Sequence, residues 1–90
     1  HDVEEFDRDL RPAATLMSAW ISEVASREQI EVALLGTRAD IIDYLRGFPE
    51  ARLRHGWRSE VLGEDLADLV AGSAGIAFDG DGGLRLLRAD

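Results

Sequence analysis

From residue 10 onward, apolar side chains return every three or four positions: Leu10, Ala13, Ala14, Met17, Ile21, Val24 and Ala25. This is the period of one helical face, and it predicts a first helix over residues 10–28 with Asp9 as its cap and Pro12 in its first turn. Leu16 and Trp20 widen the stripe, which implies contacts with more than one neighbour, and Trp20 is read as core. Residues 29–35 are too short for an independent helix. They predict a single helical turn anchored by Ile30, Val32 and Leu35, with Gly36 as its C-terminal cap. Thr37-Arg38-Ala39-Asp40 has the form of a capping box with Asp where Glu is usual. Ile41, Ile42 and Leu45 then share one face, so a helix is expected over residues 38–46, with Tyr44 packing beside that face and Gly47 as the stop.

Phe48-Pro49-Glu50 reads as a turn, because proline disfavours helical geometry in the residue before it and presets its own φ for a new start. Leu53, Trp57, Val61 and Leu62 then face one core, and a short helix is expected over residues 56–62. Gly63 breaks it. A fifth helix over residues 64–71 begins with Glu64 and Asp65 at its positive end and buries Leu66, Leu69 and Val70. The period then changes to two in Gly75-Ile76-Ala77-Phe78-Asp79 and Gly83-Leu84-Arg85-Leu86-Leu87, around Gly80-Asp81-Gly82. A β-hairpin follows from that alternation, and since an isolated hairpin is marginal in water, Ile76, Phe78, Leu84 and Leu86 are expected to pack on the helices. The predicted fold is mainly α, a compact bundle of about five helices with a small C-terminal β-hairpin. Residues 1–9 form an acidic lead-in, 10–72 the helical domain, and 73–90 the hairpin and tail.

Composition narrows the class. Ninety residues, 46% of them apolar, make one small domain with a modest core and no room for a deep catalytic cleft besides. With no cysteine, disulfides and thiolate metal sites are excluded, which suits a reducing cytoplasm. The longest apolar run is Val32-Ala33-Leu34-Leu35, against about 20 residues for a bilayer span, and no charged-then-apolar leader is present; a soluble, cytoplasmic and monomeric domain is expected. His1 in place of methionine suggests a piece of a longer protein.

The net charge of −8 weighs against nucleic-acid binding, but it is unevenly spread. Residues 1–31 carry eight acids against three arginines (−5), residues 32–58 three against five (+2), and residues 59–90 seven against two (−5). Every basic side chain is arginine. That fits a high-GC coding bias, and arginine is also the better bidentate phosphate ligand.

Several chemistries fail on spacing. Asp79-Gly80-Asp81-Gly82-Gly83 starts like a calcium loop, but Gly83 and Leu84 occupy the third-ligand and sixth positions and no glutamate stands at the twelfth, so a turn is expected. His55, Ser59 and Glu60 meet on one helical turn without an oxyanion site or pocket. His1 and His55 have no partner at metal-ligand spacing, and Asp7-Arg8-Asp9 lies in a lead-in rather than on a rigid sheet, where a two-metal nuclease sets its carboxylates. No catalytic residue, metal or cofactor is expected.

What remains is Arg46, Arg52, Arg54, His55 and Arg58, gathered around the turn and beside Trp57. Two readings stay open. The side chains neutralise the acids of the first and fifth helices in weakly stabilising surface pairs, or the arginines hold a phosphate backbone without reading its sequence. Gly56, Trp57 and Gly63 are structural in either case, with Trp57 filling the core and Gly56 permitting the turn.

The order of landmarks resembles the HRDC domain, the C-terminal helical domain of ribonuclease D. A long first helix is followed by Ala33-Leu34-Leu35-Gly36-Thr37-Arg38-Ala39-Asp40, then Leu45-Arg46-Gly47, then Gly56-Trp57-Arg58-Ser59-Glu60-Val61-Leu62-Gly63. The resemblance spans residues 10–72, and its most specific part is Gly-Trp-Arg followed by an acid, two apolar residues and Gly63. It implies a helical bundle without chemistry of its own, attached after a metal-dependent 3′–5′ exonuclease domain and helping to hold RNA such as tRNA precursors near that active site. On this reading Arg46, Arg52, Arg54 and Arg58 touch phosphate. The alternative is a module whose acidic faces dock on a basic protein or a neighbouring domain, without nucleic-acid contact.

Overall fold

The computed structural model describes residues 9–89, so the lead-in expected at residues 1–9 lies, Asp9 apart, outside the described residues. Helix α1 (Arg11–Glu28) buries Ala14, Met17, Trp20, Ile21, Val24 and Ala25, the stripe that its period marks out. Asp9 does not cap it. Leu10 holds the cap position in a helix-like conformation with no side-chain hydrogen bond, and Pro12 needs none in the first turn. At the other end Gln29 turns left-handed, and Ile30 N–H returns to Ala25 O at 2.9 Å.

A one-turn helix α2 (Val32–Leu35) buries Leu35, while Val32 at its free start is exposed. Gly36 closes it in extended backbone rather than as a left-handed cap; what it supplies is space. A Cβ there would sit 3.2 Å from Leu53 Cδ2 and 3.3 Å from Ile21 Cδ1. Helix α3 (Arg38–Leu45) opens on the expected capping box: Asp40 N–H donates to Thr37 Oγ1 at 3.2 Å, and Thr37 N–H to Asp40 Oδ2 at 2.9 Å. A 3-10 turn η1 (Arg52–Arg54) drops Leu53 into the core and leads into helix α4 (Gly56–Leu62) and helix α5 (Asp65–Ala71). The backbone at Gly56 (φ +65°) and Gly63 (φ +60°), at the two ends of α4, lies where a side chain would be strained.

Strands β1 (Ala74–Phe78) and β2 (Leu84–Arg88) pair antiparallel with Ile76 opposite Leu86. Ile76, Leu84 and Leu86 pack on the helical core. Phe78 does not: it is 81% exposed. It ends its strand opposite Leu84, whose backbone is gripped by polar groups of α1, Glu23 accepting from Leu84 N–H and Arg27 donating to Leu84 O, so no apolar seat meets the ring. The hairpin is tied to α5 by Arg88, which reaches Asp65 and Asp68, while Asp65 also accepts from the indole N–H of buried Trp20 at 3.2 Å. Val70, one position round α5 from partly buried Leu69, is exposed rather than core. With half-exposed Leu16 it lines an apolar groove of about 210 Å³ between α1, α3, α5 and β1 that offers no titratable side chain.

Candidate nucleic-acid interface

Each of the four arginines has a protein partner. Arg52 makes a two-point contact with Asp40, Nε to Oδ1 at 3.1 Å and Nη2 to Oδ2 at 2.9 Å, and its side chain stays 50% exposed. Burial pushes the Asp40 carboxyl up, yet hydrogen bonds from Arg52 and Thr37 outweigh it and hold the group below the usual carboxylate range. One helical turn further along α3, about 6 Å, Arg54 donates to Tyr44 O at 2.8 Å and to Phe48 O at 3.1 Å. A cation at those carbonyls complements the negative end of the helix. Its guanidinium also lies 4.2 Å from the centre of the Tyr44 ring, whose hydroxyl is pushed up by burial against the pull of that charge.

Arg46 covers the exposed Phe48 ring at 5.8 Å. Phe48 therefore joins Arg46 and Arg54, one over its ring and the other on its carbonyl. His55 Nε2 lies 2.6 Å from Pro49 O and fixes the turn from the opposite strand of the loop. Arg58 stands apart on α4, donating from Nε to Leu34 O of α2 at 3.0 Å and stacking over Trp57 at 4.6 Å.

The expectation that Trp57 fills the core is not met: the ring is 43% exposed. Helix α4 sinks its C-terminal turn inward through Leu62 and part of Val61, which leaves its first turn at the surface. The structure thus brings Arg46 and Arg54 together at the end of α3, pairs Arg52 with a carboxylate, and sends Arg58 to a separate patch with Trp57 and Leu34. Sequence reasoning missed both the Asp40–Arg52 pair and the bond from Arg58 to Leu34 O. The capping box had already aimed Asp40, but nothing local specified which arginine would reach it.

At the hairpin turn, Asp79 Oδ1 accepts from Asp81 N–H at 2.7 Å and Gly83 N–H at 3.0 Å. Those bonds hold its carboxyl below the usual range and make it a turn residue. Among the described residues no group of three His, Cys, Asp or Glu side chains is disposed to hold a metal ion, and no helix is long and apolar enough to cross a membrane.

Over 73 residues the chain is 32% identical to ribonuclease D of Jannaschia sp. (strain CCS1). The matched stretch covers 80% of this chain and 19% of that protein's length. No family model matches the chain, and no solved structure matches it. The similarity connects this helical fold with a ribonuclease D-like protein.

Proposed function

We propose that the chain is a non-catalytic, HRDC-type accessory domain of a ribonuclease D-like 3′–5′ exoribonuclease of the cytoplasm, and that it positions RNA for tRNA processing. The observation that carries this reading is the similarity across 80% of this chain to a ribonuclease, about a fifth of whose own length is matched. Arg46, Arg52, Arg54 and Arg58 are the phosphate contacts, and their present partners support that role. Asp40 fixes Arg52, backbone carbonyls fix Arg54 and Arg58, and Arg46 lies over the Phe48 ring, so less side-chain freedom is lost when a phosphate is bound. Such contacts fix a strand in place without reading its bases.

The reading is tested by fluorescence anisotropy of a labelled tRNA-like RNA against the 90-residue chain at several salt concentrations. Four phosphate contacts on a single strand correspond to a log–log salt slope of about −3, or roughly fiftyfold weaker binding at 200 mM than at 50 mM salt. A slope near zero would contradict phosphate contact. The net charge of −8 favours a second reading, docking of the acidic faces on a basic neighbouring domain, and absence of RNA binding at low salt would leave that reading in place.

A further inference from the structure

The two tryptophans differ in exposure and in the partner of the indole N–H. Trp20 is 3% exposed and its indole N–H is bonded to Asp65. Trp57 is 43% exposed, and among the described residues its indole N–H meets no acceptor. Arg58 stacks over the Trp57 ring at 4.6 Å and is itself pinned by Leu34 O, so a planar cation is held against a planar ring on a fixed backbone. Arg58 uses only Nε for that bond, and its Nη nitrogens meet no acceptor among the described residues. Leu34, whose carbonyl holds Arg58, is itself 57% exposed.

The geometry points to a stacking platform for an unpaired nucleobase of single-stranded RNA, formed by Trp57 with Arg58 directing its free donors to the adjoining phosphate. An exposed π-face accepts any base, and a neighbouring guanidinium adds a cationic contact, which is how single strands are held without sequence preference. The inference rests on the RNA-positioning reading above and gives Trp57, there only a structural residue, a direct contact.

The test uses the 90-residue chain, an oligoadenylate RNA and an abasic ribose-phosphate oligomer of equal length, with the two indole N–H resonances as reporters. The expected result is that oligoadenylate shifts the Trp57 indole signal and not that of Trp20. Trp57→Ala then weakens oligoadenylate binding about tenfold and leaves the abasic oligomer unaffected, while Trp57→Phe recovers part of the loss with the fold intact by circular dichroism. Oligoadenylate binding unchanged by Trp57→Ala would overturn the platform while leaving phosphate contact standing. Failure of both oligomers to bind the unmodified chain would overturn the RNA-positioning reading and the platform with it.

Discussion

Asp40 does three jobs with one carboxylate: it closes the capping box on Thr37, starts α3 and fixes Arg52. Because its pKa in the fold is depressed below the value of about 3.9 expected for an unfolded chain, its contribution is fully present above that pH and is lost as pH falls through the folded value. Asp40→Asn is therefore expected to be less stable than the unmodified chain at pH 7, by about 1 kcal/mol given that Arg52 is half in water. Urea unfolding at pH 7 and pH 3 checks the sign, since the gap should shrink in acid; a constant gap would mean that the charge is not responsible. The tryptophans give a second contrast. Trp20→Ala should cost about 3–5 kcal/mol, a large part of the 5–15 kcal/mol typical of a domain, whereas Trp57→Ala at a half-exposed site should cost about 1 kcal/mol or less. Equal losses in denaturant titrations would refute the assignment of Trp57 to the surface.

At the scale of elements, the hairpin is the part most dependent on others. Two strands alone are marginal, and these are held by Ile76, Leu84 and Leu86 against the helices, by the α1 grip on Leu84, and by Arg88 on Asp65 and Asp68. Arg88→Ala should lower amide protection in β1 and β2 before that of α1, measured by native-state hydrogen exchange; an unchanged hairpin would show that the apolar contacts suffice. Gly36→Ala should destabilise the α1–α2–η1 junction by about 1–3 kcal/mol, because the new methyl meets Ile21 and Leu53. Much of this level was legible in the chain. The capping box located α3, the glycines at 56 and 63 bounded α4, and the change from period three-to-four to period two located the hairpin. What periodicity did not reveal is which apolar positions lack a neighbour. In so small a domain Val32, Val70 and Phe78 lie on or beside predicted buried faces and still reach solvent, and the partners of Arg52, Arg54 and Arg58 come from segments up to 24 residues away.

For the whole molecule, charge and surface must be reconciled. The chain carries −8 overall, while residues 32–58 carry five arginines against three acids and end in the Trp57–Arg58 stack. On the proposed reading, RNA meets the arginine-rich stretch and not the acidic ones that flank it in sequence. The most direct measurement is an amide chemical-shift map of the 90-residue chain titrated with a short tRNA-like RNA at two salt concentrations. The account requires shifts confined to the surface built by residues 34–58, fading at the higher salt. No shifts at low salt with millimolar RNA, or shifts centred on the apolar groove of α1 and α5, would contradict it.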